Sequence, residues 1–214
     1  MNEKFYALPE KRRRAILNAG FRVFAQNPYR KSPMSEIAAE AGISKSLLFH
    51  YFRNKRELYL FLWETCARMT MDVLQKERCF EAPGLFEIMR RGLRAKAGLM
   101  RQYPALGAFA LRAYYERDPE VYEDIQASIR HYGSYQSMVQ RLKLDPALFK
   151  PGLDLELMYQ DMYWASEGYV RGQLGLGDRE VDVDRMERDF GRMIDFWKKL
   201  YLRKEESYAG HTNE

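Results

Sequence analysis

The residue types best suited to chemistry fall in one short run: Ser44, Lys45, Ser46, Leu47, His50, Tyr51 and Lys55. The chemistry they suit is contact with a double helix of nucleic acid. A lysine ammonium can reach guanine acceptors or a phosphate, a serine hydroxyl can bond bases or backbone, and a leucine can touch a thymine methyl. Imidazole, phenol and a second ammonium can bond phosphate oxygens, which fix position without reading sequence. Residue type alone decides little, because charged runs usually face solvent and any one of these side chains can be ordinary surface. The spacing of the residues around them adds the weight.

Ile37, Ala38 and Ala41 share one helical face. Ala38 is small enough for a following helix to pack close, and Gly42 tolerates the left-handed conformation that ends a helix and turns the chain. Ile43 can fill the angle, Ser44 can cap a second helix, and Leu48 and Phe52, four apart, give that helix a buried side. A short helix, a glycine turn and another short helix make a helix-turn-helix, whose second helix lies in the major groove with its first residues at base edges. The preceding helix is expected to open at Ser32-Pro33, with Ser32 as its cap. An earlier helix runs from Pro9 to about Gln26 on Ile16, Leu17, Phe21 and Phe24. A later one opens at Asn54, with Glu57 three residues on in a capping-box arrangement, and runs to about Arg78.

The charge follows the same division. The 214 residues carry a formal +5. Residues 1–60 hold 12 Lys+Arg against 5 Asp+Glu, a net of +7, and residues 61–214 hold 23 against 25, a net of −2. A basic end on a slightly acidic body suggests a polyanion-binding end. No charge-free run exceeds 10 residues, short of the roughly 20 that a membrane-spanning helix needs, so no membrane role is expected. The start MNEKFYALPEKRRR has no apolar signal core, which points to a cytoplasmic protein. Cys66 and Cys79 alone make neither a disulfide framework nor a zinc site, and His50, His131 and His211 are too few for a histidine-rich metal centre. No cofactor is expected.

The run from Ile37 to Leu58 resembles the DNA-binding signature of the tetracycline-repressor (TetR) family, and the resemblance covers about residues 10–60. It implies a homodimeric bacterial transcription regulator, usually a repressor released by a small ligand. By position it implies that Ser32 is the cap-and-phosphate residue before the first motif helix. Lys45, Ser46, Leu47 and His50 would face the groove, with Tyr51 and Lys55 on phosphates. Pro33 stands where a hydroxyl residue is common, Ser46 where glycine is frequent, and Phe49 where tyrosine is frequent. Pro33 and Phe49 remove possible hydrogen bonds, whereas Ser46 adds one and bars the closest backbone approach.

The rest of the chain reads as helices over about 84–101, 104–116, 119–142, 153–174 and 183–204, with no sustained strand pattern. The expectation is all-α: a three-helix DNA-binding domain over 1–54, a larger ligand-binding and dimerisation domain over 55–206, and a frayed tail over 207–214. An apolar stripe on the last two helices includes Met158, Met162, Tyr169, Phe190, Met193, Ile194, Trp197 and Tyr201. Such helices can pair with a symmetry copy in a four-helix bundle, or they can be intramolecular core; the family resemblance implies that these residues face outward as a dimer interface. Candidate walls for a small, mostly apolar or aromatic ligand are Trp63, Phe86, Met89, Leu93, Tyr103, Phe109, Tyr114, Tyr132, Tyr159, Tyr163 and Trp164, with Glu167 and Arg94 as charged orienters. Glu116, Asp118, Glu120, Glu123 and Asp124 read as a solvated helix start. No phosphate loop, His-Glu-x-x-His or serine elbow is present, so no enzyme is expected. The leading expectation is a ligand-responsive regulator binding a palindromic operator as a homodimer. One rival is a ligand-independent DNA-associated scaffold that docks a protein partner, with a well-packed body. Another is a helical enzyme with an appended DNA-binding unit.

Overall fold

The computed structural model describes residues 3–132, 144–175 and 181–203. Ten helices run through them, and no strand occurs among the described residues. They are α1 (Glu3–Tyr6), α2 (Glu10–Gln26), α3 (Met34–Glu40), α4 (Lys45–Tyr51), α5 (Lys55–Lys76), α6 (Leu85–Gln102), α7 (Leu106–Tyr114), α8 (Tyr122–Tyr132), α9 (Leu155–Gly175) and α10 (Val183–Tyr201). The short α1 has no counterpart in the sequence reading. Its Phe5 is buried and packs on Phe52 and Phe61. The expected continuation of α8 and the expected tail lie outside the described residues.

Local chemistry sets the helix ends. The Ser44 hydroxyl accepts the Leu47 N–H at 3.1 Å, and the Asn54 carbonyl oxygen accepts the Glu57 N–H at 2.8 Å. Glu57 returns the bond to the Arg53 N–H at 3.0 Å, one residue before the cap, a variant of the reciprocal box. The expectation for Ser32 is corrected. Pro33 is the N-cap of α3 and makes no side-chain cap, while the buried Ser32 hydroxyl donates back to the Pro28 carbonyl at 3.1 Å. Proline fixes an extended approach that carries Ser32 away from the helix end. Between α3 and α4, Gly42 takes φ +65° and the Ile43 N–H closes the turn on Ala38 at 3.0 Å.

Ile16, Phe21, Phe24, Ile37, Leu48, Phe52, Leu58 and Leu62 are completely buried, each contributing roughly 1.5–3 kcal/mol of hydrophobic stabilisation. At Gly20 a Cβ would stand 2.6 Å from Leu62 Cδ1, so glycine there lets α2 and α5 approach. The same core continues through Phe109, Ala113, Val121 and Ile125. Helix α5 therefore serves both the amino-terminal unit and the body.

A second cluster joins Leu85 and Phe86 of α6, Met158 and Met162 of α9, and Ile194 and Trp197 of α10. This corrects the expected outward stripe: Met158, Met162, Ile194 and Trp197 are core of this chain. Met193 and Tyr201 pack against that cluster. Tyr169 meets Phe190 edge-on at 5.0 Å and donates its hydroxyl to Asp189 at 2.7 Å. Helical periodicity identifies an apolar face but not its partner. The apolar side chains that these two helices turn outward are Leu157, Trp164, Phe196 and Leu200.

Candidate nucleic-acid interface and interior cavity

Helix α4 is held from beneath by Leu48 and Phe52. That anchoring leaves Lys45, Ser46, Phe49 and His50 exposed, with Leu47 and Tyr51 half-buried beside them. The Lys45 ammonium lies 5.9 Å from the Phe49 ring centroid, and the His50 ring meets Tyr51 edge-on at 5.6 Å. Ser46 Oγ is 3.1 Å from Ser44 Oγ, so the capping hydroxyl and the candidate reader share a hydrogen-bonded pair. Phe49, outward and apolar, was not among the expected readers, although its i,i+4 relation to Lys45 carries the signal. Arg53, with its side chain 91% exposed and 3.5 Å from Glu57, extends the basic edge past α4.

Other cations of the unit are already engaged. The Lys55 ammonium donates to the Arg30 carbonyl at 3.1 Å and lies 4.5 Å from the Tyr29 ring centroid. Arg30 pairs with Asp118 at 2.5 Å, and Arg56 pairs with Asp124 at 2.5 Å and donates to the Glu120 carbonyl at 2.7 Å. Tyr29 donates its N–H to Glu116 at 2.9 Å and its hydroxyl to Glu120 at 2.8 Å. The acidic run is thus no merely solvated helix start. It docks the body onto the amino-terminal unit. Against the opposing effect of desolvation, the Glu120 backbone N–H and then Arg30 hold the Asp118 carboxyl below the usual carboxylate range.

Inside the body is a cavity of about 560 Å³, within the range of small-molecule sites. Of the candidate wall residues, Trp63, Met89, Leu93, Tyr114, Tyr159, Tyr163 and Glu167 line it. Phe86, Tyr103, Phe109 and Trp164 do not. Phe86 joins the second core cluster, Phe109 and Tyr103 pack on Phe21, and Trp164 faces outward. Arg94 is exposed and off the wall. The side chain of Tyr132 lies outside the described residues. The wall also carries residues not singled out from sequence, among them Cys66, Thr70, Lys96 and Met100. Burial pushes the Cys66 thiol up to about 12 and, with its Tyr114 hydrogen bond, the Tyr163 phenol up to about 12. The Trp63 indole N–H is buried without an acceptor among the described residues. Glu167 accepts the Tyr115 hydroxyl and lies 3.9 Å from Arg171. No group of three or more potential metal ligands occurs among the described residues, and no described helix is long and apolar enough to cross a membrane.

Comparison with known proteins adds an independent line. The family described as bacterial regulatory proteins, tetR family, matches residues 16–61. The chain is 32% identical over 66 residues to a fatty acid metabolism regulator protein of Bacillus subtilis, covering 28% of this chain and 34% of that one. It is 42% identical over 60 residues to the HTH-type transcriptional activator FasR of Mycolicibacterium smegmatis, covering 28% and 27%. The matched stretches thus span about a third or less of those relatives. Over 87% of this chain and 95% of the other, the fold is similar to that of the fatty acid degradation regulator FadR of Bacillus halodurans, with a TM-score of 0.63 at 18% identity.

Proposed function

Given that the amino-terminal unit of this chain belongs to the tetR family of bacterial regulatory proteins, we propose that the protein is a ligand-responsive transcription regulator, a repressor, that binds a palindromic operator as a homodimer. The observation that carries this reading is the conjunction, in one chain, of α4 held outward by Leu48 and Phe52 with a cavity of about 560 Å³ in the body. Lys45, Ser46, Leu47 and His50 read base edges, while Tyr51, Lys55 and Arg53 contact phosphates. Two copies of α4 must meet successive major grooves on one face of the DNA, so their separation sets affinity. A ligand that binds better to the arrangement with the wrong separation shifts the population toward release. Leu157, Trp164, Phe196 and Leu200 supply the dimer face. The cavity weighs against the ligand-independent scaffold, which calls for a well-packed body.

Titration with genomic DNA fragments at rising salt tests the first half. Binding should weaken steeply with salt, as phosphate-neutralising proteins do. If no fragment binds even at low salt, the regulator reading fails. Reporter transcription with and without the protein then fixes the sign, and an increase would make it an activator.

A further inference from the structure

On α6 the residues Met89, Leu93, Lys96 and Met100 fall at helical spacing, and all four line the cavity. One member of an otherwise apolar stripe is therefore a cation. Its neighbours Ala95 and Ala97 are buried, whereas Lys96 is exposed, and the space it faces is the cavity. No carboxylate among the described residues lies within the 4.0 Å of an ion pair with it. Cys79 is the one titratable neighbour whose field it feels, and burial pushes that thiol up, toward its neutral form. Desolvation by the surrounding protein also lowers the Lys96 ammonium, as expected for a charge beside a largely apolar wall without a counter-charge. Glu167, the carboxylate on the wall, is already engaged by Tyr115 and Arg171. Aromatic and methionine side chains make up much of the remaining wall.

Resting on the ligand reading above, we propose that the cavity takes an amphiphilic monocarboxylate: an apolar body filling the aromatic and methionine-lined space, with one anionic head paired to Lys96. The pair supplies the counter-charge that the wall lacks at that ammonium. At roughly 30 Å³ for each water-sized group, the cavity of about 560 Å³ has room for roughly 19 such groups, enough for a chain of about a dozen carbons with its carboxylate.

The test uses dodecanoate and dodecanol below their aggregation limits, titrated calorimetrically into the full-length protein. The wild type should bind the acid about tenfold or more tighter than the alcohol, the worth of a charge-assisted contact. Lys96→Met should bind both alike and keep the wild-type affinity for the alcohol, and Lys96→Arg should restore the preference. Equal affinities in the wild type, or a preference that survives in Lys96→Met, overturn the assignment. The wild-type comparison stands even if a variant fails to fold. If neither probe binds, the ligand reading itself fails. If both bind equally, only the charge pairing does.

Discussion

At the scale of single residues, the candidate readers separate by what already holds them. Ser46 is exposed and shares a hydrogen bond with Ser44, so Ser46→Ala removes a contact without disturbing the α4 anchor. It should change selectivity at one operator position by roughly 1 kcal/mol. A binding-site selection that recovers the wild-type preference at every position would take Ser46 out of the reader set. Lys55 is different, because its ammonium is tied to the Arg30 carbonyl and the Tyr29 ring. Lys55→Ala should weaken all DNA sequences by a similar factor and flatten the salt dependence by about one ion. A change in base preference would contradict a phosphate role. The Cys66 thiol, pushed up to about 12 by burial, presents roughly a thousandfold less thiolate near neutral pH than an ordinary thiol. Native protein at pH 8 should therefore leave Cys66 unmodified by a thiol-disulfide reagent, and denaturation should release the reaction. Rapid labelling of the folded chain at Cys66 would show that the site opens.

At the scale of elements, the caps at Ser44 and Asn54 are local in sequence, and so are the cues for them. Ser44→Ala removes the acceptor for the Leu47 N–H and should cost about 1 kcal/mol, read as a lower denaturant midpoint with an unchanged slope. A midpoint equal to the wild type would mean that water replaces the cap at no cost. The helix-turn-helix was legible because Ile37, Ala38, Gly42, Ser44 and Leu48 act within a dozen residues of one another. Ser32 misled because a cap depends on backbone direction, and Pro33 sends the chain away from the helix end. The stripe on α9 and α10 misled for a different reason. Periodicity marks Met158, Met162, Ile194 and Trp197 as apolar-facing, but α6 claims that face, and nothing local to α9 or α10 reveals it. Lys96 was legible in principle, as a charge at the right spacing between Leu93 and Met100. It stayed hidden because a lone lysine on an amphipathic helix is ordinarily the solvated side.

At the scale of the whole molecule, the net +7 of residues 1–60 overstates the charge available to DNA, because Arg30 and Arg56 are paired with Asp118 and Asp124 of the body. The outward residues Phe196 and Leu200 on α10 should carry the association of two copies. Phe196→Asp with Leu200→Asp should give a monomer by light scattering and lose operator affinity, and a dimer of unchanged mass would place the interface elsewhere. On the proposed reading, the contacts between the body and the amino-terminal unit are the route by which occupancy of the cavity would reach α4. Helix α7 lines the cavity through Leu106, Ala110 and Tyr114, and the segment that follows it presents Glu116, Asp118 and Glu120 to Tyr29 and Arg30. Exposed ion pairs contribute little stability, about 0–1 kcal/mol each, but Tyr29 is buried, so its two bonds are costly to break. A shift of α7 must therefore either move the Tyr29 turn or sacrifice those bonds. Tyr29→Phe combined with Asp118→Asn should leave operator affinity without ligand within about threefold of wild type and reduce the loss of affinity caused by dodecanoate, since typical couplings of 1–3 kcal/mol are small enough for a few contacts to carry. The comparison is between operator dissociation constants with and without dodecanoate in both proteins. An undiminished ratio in the variant would make these contacts structural only and would send the signal through α5, which shares a core with both parts.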